Sequence, residues 1–210
     1  MSGCARVLSL VLGAVLLAGC STGEGTGWVR SDKLYVRDCW NGKFDLQPTF
    51  FGDNPYRDTQ LVRVQRGDNL EEVSDGVTAL VNDVSGIRGS DLDTGIKVGL
   101  PPGVSPPGVP IKYNPNPPKV SLALYLHDTC HAQNGTLYSM DGTITFSSLF
   151  SGDPNESNAD DRLTEAHFDA DFADPRDLLA DGSIDPAKKS SVQGYFRFFF
   201  QRGQPAQPFP

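Results

Sequence analysis

The side chains that could carry chemistry are densest between residues 153 and 185, where there are eleven carboxylates and only two arginines. Calcium binds six to eight oxygen atoms, and this stretch offers suitable oxygens. The candidate calcium ligands are Asp153, Asn155, Asp160 and Asp161. The spacing does not match an EF-hand loop, which needs a bidentate Glu where this chain has Thr164. Two interpretations stay open: a calcium site, or a solvated acidic surface, which we favour.

Asp93 is the one residue that can be named as a candidate for catalysis. The tripeptide Asp93-Thr94-Gly95 follows Leu92 and resembles the hydrophobic-Asp-Thr/Ser-Gly loop of aspartic proteases. The resemblance implies a carboxylate that shares a proton with a second one and activates water. The chain has a single copy, so such an enzyme would have to be a homodimer. The alternative, which we favour, is a turn in which Asp93 bonds to its own backbone.

The segment from His127 to His131 contains zinc-ligand residue types in the sequence HDTCH. Alternation along a strand sends neighbouring side chains to opposite faces, which argues against a shared metal ion. The sequence has no HExxH, no GxxxxGK[ST] and no GxGxxG motif. We therefore predict no enzymatic activity and, apart from calcium, no cofactor.

The N-terminus indicates where the protein resides. Arg6 precedes an uncharged, mostly apolar run from Val7 to Leu17, which is too short to cross a bilayer but suits a signal peptide. The run ends in Leu17-Ala18-Gly19-Cys20, which resembles the lipobox of bacterial lipoproteins. The resemblance implies a diacylglyceryl group on the Cys20 thiol, cleavage before Cys20 and acylation of the new N-terminus. The alternative is an ordinary secretory signal.

The lipobox resemblance also bears on location and partners. It implies a protein attached to the cell envelope by membrane lipid, and Ser21, which is not Asp, indicates the outer membrane if the cell is Gram-negative. Residues 1–19 are then a signal peptide, residues 20–27 a lipidated Cys with a flexible glycine-rich tether, and residues 28–210 the folded body. We predict one β-rich domain for this body.

Two cysteines remain for a disulfide if the lipobox assignment holds. Cys4 leaves with the signal peptide and Cys20 carries lipid, so Cys39 and Cys130 are left in an oxidising compartment. Both lie where predicted strands end. We expect a Cys39–Cys130 bridge; the alternative is two buried free thiols.

Short alternating runs dominate the body and predict strands. Hairpin turns are predicted at Asn41-Gly42 and at Asp141-Gly142. A two-residue turn at the first site would place Asp38 opposite Asp45, an unfavourable pair of like charges, so its register is in doubt. The predicted strands are Lys33–Trp40, Lys43–Gln47, Thr59–Arg66, Val120–His127, Leu137–Met140, Thr143–Ser147, Leu163–Phe172 and Gln193–Gln201. The last is aromatic enough to be a central strand buried on both faces.

Two segments are less regular. Leu70–Val84 has apolar residues at helical spacing but also the turn cluster Ser74-Asp75-Gly76, so helix and turn-plus-strand both remain open, the latter favoured. Residues 101–118 contain eight of the sixteen prolines and predict an extended connector. Together these patterns predict a mostly β, antiparallel, sandwich-like body with a proline-rich crossing loop.

Charge limits the class of partner. The formal net charge is −8, which argues against nucleic acid, because phosphate binding needs a clustered basic surface. The function that fits best is surface presentation, binding of an envelope protein or ligand, or an accessory structural role. The alternative is a calcium-dependent or ligand-binding module, and an aspartic hydrolase at Asp93 comes third.

Overall fold

The computed structural model describes residues 23–67, 73–111, 114–131, 135–203 and 209. The predicted signal peptide, Cys20 and the first residues of the predicted tether lie outside these ranges. The ten strands of the described chain are β1 Gly25–Val36, β2 Trp40–Leu46, β3 Phe50–Tyr56, β4 Thr59–Gln65, β5 Asp75–Val81, β6 Ile96–Lys97, β7 Val120–Leu126, β8 Thr136–Ser148, β9 Leu163–Ala173 and β10 Ser190–Phe199.

Helical structure is confined to short pieces in the described chain. The helix α1 (Val84–Gly86) runs directly into a π-helical turn at Ile87–Asp91, and 3-10 turns occur at Asp160–Arg162 and Pro175–Asp177. Among the residues described, no helix combines the length and the apolar character needed to cross a membrane.

All ten strands form one sheet in the order β2-β1-β10-β9-β8-β7-β5-β4-β3, with β6 paired to β8. The strand pairs are antiparallel. The sheet curls until its two sides meet: the backbone N–H of Phe51 in β3 donates to the carbonyl of Gly23, just before β1, at 2.8 Å. The rings of Phe51 and Phe198 lie 6.0 Å apart across this junction. The predicted mostly β, antiparallel, sandwich-like body is confirmed.

One hydrophobic core fills the inside of the curled sheet. Alternation places residues there, as predicted for β9, whose even-numbered residues from Thr164 to Phe172 are buried while the odd-numbered residues between them are at least partly exposed. Each fully buried Leu or Phe contributes about 2 kcal/mol by leaving water. Strands from both sides of the proline-rich segment supply this core.

The first predicted hairpin exists, but its turn lies elsewhere. β1 and β2 are joined by residues 37–39, and Asp38 has a φ of 57°, a left-handed conformation that Asp tolerates. Asn41-Gly42 therefore lies inside β2 and forms no turn. The shifted register places Asp45 opposite Arg30, and their side chains form an ion pair of 3.4 Å. An attractive cross-strand pair thus replaces the like-charge pair of the two-residue turn.

The second predicted hairpin is wrong. Asp141-Gly142 lies within β8, which continues through a bulge in its pairing with β9. Gly142 has a φ of 116°, and a Cβ there would come within 2.9 Å of the Ala170 Cβ, so glycine lets the two strands approach. The bulge shifts the alternation by one residue. Leu137 and Ile144 are both buried for that reason, although they are seven positions apart and strict alternation would place them on opposite faces.

β10 is an inner strand, as predicted, but only one of its faces is buried. Phe196 and Phe198 pack in the core, whereas Tyr195 is half-buried and Arg197 and Phe199 are exposed. The strand buried along its whole length is β7. Aromatic content alone therefore did not distinguish a strand with two covered faces from one with a solvated face.

The alternatives for Leu70–Val84 are resolved where the chain is described. β5 covers Asp75–Val81, so a strand is present as favoured, but Asp75 and Gly76 of the predicted turn lie inside it. Residues 68–72 lie outside the described ranges. The helical turns that follow were not predicted. Asp83 begins them by accepting a hydrogen bond from the Gly86 N–H at 3.0 Å. The described part of the connector at 101–118 contains no helix or strand.

The predicted flexible tether is wrong for residues 23–27. β1 already begins at Gly25, and Gly23 is fixed before it. The Gly23 N–H donates to the Gln201 side-chain oxygen at 2.9 Å, and the Gly23 carbonyl accepts from Phe51. The folded body therefore starts within three residues of Cys20.

The structure contains the Cys39–Cys130 disulfide. The two Cα atoms are 5.8 Å apart, and the residues are separated by 91 positions in the chain. The bridge joins the β1–β2 turn to the loop after β7. Cys130 is buried and Cys39 is exposed.

Candidate functional site

The outer face of β1, β10, β9 and β8 carries a straight line of ring-bearing side chains. Trp28 in β1 lies opposite Tyr195 in β10, and Tyr195 lies opposite His167 in β9. The line continues to Thr145 in β8. We call Trp28, Tyr195 and His167 the aromatic row. Trp28 and Tyr195 are half-buried and His167 is exposed, so the row is open to solvent on one side.

Neighbouring side chains hold two of the three rings, Trp28 and Tyr195, in place. The Arg30 guanidinium lies 5.1 Å from the Trp28 ring centroid, a cation–π contact. The Tyr195 hydroxyl donates to Glu165 Oε1 at 2.8 Å, and Glu165 also pairs with Arg197 at 3.3 Å. Burial and the hydrogen bond to Glu165 raise the pKa of Tyr195, so its hydroxyl keeps its proton. These two rings are thus preorganised.

A second line of polar side chains runs beside the aromatic row. Its members are Asp45, Arg30, Gln193, Asp169 and Thr143, each opposite the next on adjacent strands. The Gln193 amide donates to Asp169 Oδ2 at 2.8 Å. We call these five residues the polar row. It offers donors and acceptors two residues along the strands from the rings.

Beyond the polar row the face opens into a groove of about 860 Å³ where the β1–β2 register is irregular. Its charged residues are mostly paired: Lys43 with Asp32 at 4.0 Å, and Lys189 with Asp171 at 2.7 Å. The lining residues are Arg30, Ser31, Asp32, Lys33, Lys43, Phe44, Asp45, Asp171, Lys189, Ser191 and Gln193.

The four predicted calcium ligands lie in and next to the loop before β9, where the side chains of Asp153 and Asp161 have other partners. Asp161 accepts from the Arg88 guanidinium and from the Asn158 amide. Asp153 accepts from the backbone N–H of Asn155 at 2.8 Å, which closes a turn. In the part of the chain that the structure describes, no three His, Cys, Asp or Glu side chains are grouped to hold a metal ion.

Asp93 sits at an exposed turn after the π-helical segment. Its φ is 59°, and its N–H donates to the Phe146 carbonyl at 2.8 Å. A shallow pocket of about 470 Å³ lies alongside, lined in part by Thr94 and Lys119. The Lys119 ammonium is already held by Asp83 and Asp91, each at 2.8 Å.

The residues of the HDTCH segment are used structurally. Cys130 is in the disulfide, and His127 Nε2 lies 2.8 Å from the Thr136 hydroxyl. His131 Nδ1 lies 3.2 Å from the Asp128 carbonyl. The segment therefore closes the loop after β7 and does not converge on a metal.

The aromatic row was not among the residues predicted from the sequence. Of the three rings, His167 lies in a segment whose alternation predicts a solvated face. Tyr195 lies in a segment that we predicted to be buried on both faces, and Trp28 precedes the first predicted strand. Pairing of β1 with β10 joins residues more than 160 positions apart, and no local pattern specifies that register.

Comparison with known proteins gave no match, whether to a family model, to a curated protein or to a solved structure.

Proposed function

We propose that this chain is a lipid-anchored protein of the cell envelope that binds a ligand or partner through the outer face of β1, β10, β9 and β8. The proposed anchor is acylated Cys20, on the strength of the lipobox-like Leu17-Ala18-Gly19-Cys20. In a Gram-negative cell the proposed location is the outer membrane.

The aromatic row is the observation that carries the binding role. Trp, Tyr and Arg are the residue types that dominate binding energy at recognition surfaces, because they combine a large rigid area with a polar group. Here Trp28, Tyr195 and Arg30 come from two adjacent strands and meet on one face. The Tyr195 ring is held by its hydrogen bond to Glu165 and the Trp28 ring by its contact with Arg30, so binding would cost little entropy at these two side chains.

The test is capture from detergent-solubilised envelopes with the mature protein as bait. We expect wild type to retain one or more envelope components and Trp28→Ala and Tyr195→Ala to lose them. Tyr56→Ala is the matched control, because Tyr56 is an exposed ring that also has an arginine, Arg57, at cation–π distance, but it lies in β3. Equal capture by wild type and by both row variants would contradict a binding role for this face.

A further inference from the structure

We infer that the ligand of this face is an uncharged glycan chain that lies across the strands, along the aromatic row. The inference rests on the proposed binding function and specifies its ligand. It is carried by three features of the face: the line of the rings, the polar row beside it, and the pairing of its charges.

The aromatic row has the shape of a platform for sugar rings. Neighbouring strands are about 4.8 Å apart, so three side chains on three adjacent strands span about 10 Å. That length matches two linked sugar units. Pyranose rings present flat C–H surfaces, which pack on the faces of Trp and Tyr and remove apolar area from water. A linear chain of sugars would follow the row, because Trp28, Tyr195 and His167 are in register.

The polar row supplies what the hydroxyls of a sugar require. A hydroxyl group both donates and accepts hydrogen bonds, so it needs donors and acceptors side by side. Arg30 and Gln193 carry N–H donors and lie side by side, and the acceptor oxygens of Asp45 and Asp169 flank them across the sheet. The Gln193–Asp169 hydrogen bond fixes the orientation of both groups and leaves further lone pairs on the carboxylate.

The charges of the face favour an uncharged ligand. Around the row, Arg30 pairs with Asp45 and Arg197 pairs with Glu165, while Lys189 pairs with Asp171 in the groove. An ionic ligand would have to compete with these pairs. The chain as a whole carries −8, which repels acidic polysaccharides at long range. A polyhydroxylated neutral chain can bind without breaking any of these pairs.

The face is also too polar for a typical protein partner. The centre of a protein–protein interface is apolar and depleted of charge. Of the large hydrophobic side chains that the described chain exposes, Phe199 is the one on β10, at 39% exposure, and it lies at the end of the strand. The middle of the face consists of rings, amides, guanidinium groups and carboxylates.

The experiment is a binding measurement with the mature protein in detergent against immobilised oligosaccharides. The neutral probes are hexasaccharides of glucan, mannan, galactan and arabinan, and the anionic probes are polygalacturonate and heparin. We expect binding to at least one neutral probe, unchanged between about 0.05 and about 0.5 M salt because no ion pair is formed. Trp28→Ala and Tyr195→Ala should each weaken it about tenfold or more, and Tyr56→Ala should not.

Each variant is first compared with wild type by its melting temperature, and Tyr195→Phe, which keeps the ring, serves as the substitute if Tyr195→Ala does not fold. Tyr195→Phe should retain most of the binding. No binding to any neutral probe would overturn the inference, as would binding only to anionic probes or binding that survives Trp28→Ala. If Trp28→Ala abolishes capture of an envelope protein while no glycan binds, the glycan inference fails and the binding function stands.

Discussion

Asp177 shows how a single buried carboxylate is stabilised in this fold. Its side chain is 1% exposed and accepts hydrogen bonds from the Arg37 guanidinium and, at 2.7 Å, from the Lys188 ammonium. Burial opposes ionisation of Asp177, but the hydrogen bonds from Arg37 and Lys188 outweigh it. The pKa of Asp177 is therefore below its ordinary value. The ionised form is the one that the folded state favours.

Replacing Asp177 by Asn should destabilise the protein by about 2 kcal/mol at neutral pH, because two partly exposed cations lose their buried partner. The folded-state pKa is lowered, so this stabilisation is complete above the unfolded pKa of about 4 and is lost as the pH falls through the folded value. The difference between wild type and Asp177→Asn should therefore shrink in acid. Urea unfolding at a series of pH values measures it.

The control for this prediction is Asp32→Asn. Asp32 is fully exposed and lies 4.0 Å from Lys43, a separation at which an exposed pair contributes little. The Asp32→Asn substitution should therefore leave the unfolding curve unchanged at every pH. A difference between wild type and Asp177→Asn that stays constant down to about pH 2 would contradict the lowered pKa.

At the scale of elements, the disulfide connects the turn between β1 and β2 with the loop after β7. For a closed loop of this length the chain-entropy model gives roughly 4.5 kcal/mol, and measured effects are often smaller. We expect the variant with Cys39→Ser and Cys130→Ser together to melt well below wild type. Reductant should lower the melting temperature of wild type and not that of the double variant.

Thiol counting tests the same bridge without mutation. Denatured, unreduced mature protein should show no reactive thiol, since Cys39 and Cys130 are bonded to each other and the proposed lipid occupies the Cys20 thiol. Two reactive thiols in that protein would rule the bridge out in solution.

At the scale of the whole molecule, the position of Gly23 bears on the proposed membrane attachment, because Gly23 lies three residues after Cys20. Gly23 is fixed to Phe51 and Gln201, and three residues from Cys20 can reach at most about 10 Å. With Cys20 acylated, the start of β1 lies close to the lipid surface, and the body has less freedom than a longer tether would allow.

Cys20→Ser should abolish labelling with radioactive palmitate and release the protein from washed membranes, because the anchor proposed here is the lipid on that thiol. Ser21→Ala is the matched control and should keep both label and membrane attachment. Wild-type levels of Cys20→Ser in the membrane fraction would show that the lipobox assignment is wrong.

A separate prediction concerns calcium and the acidic surface of residues 153–185. A ligand that binds the folded state raises its melting temperature by mass action. Because Asp161 is bonded to Arg88 and Asp153 closes a turn, we expect millimolar calcium to leave the melting temperature unchanged. A rise that Asp153→Ala or Asp160→Ala removes would instead support the calcium-site interpretation.

The sequence by itself predicted most of the strands, though not β3, β6 or the first part of β1, and for several of them it predicted which side faces the core. The alternation from Leu163 to Phe172 is an example, since burial of every second residue requires nothing beyond the strand itself. The Cys39–Cys130 pairing was also predicted from the sequence, by elimination once the lipobox resemblance assigns Cys4 to the signal peptide and Cys20 to the lipid.

Only the tertiary structure decided which strands are neighbours, and that decided the turns and the candidate site. Asn41-Gly42 and Asp141-Gly142 have the local preferences of hairpin turns, but pairing of Asp45 with Arg30 and the close approach of Gly142 to β9 place both inside strands. The meeting of Trp28, Tyr195 and His167 depends on β10 lying between β1 and β9. Local patterns predict on which face of the sheet a side chain lies, whereas the register between strands distant in sequence is set by the packing of the whole sheet.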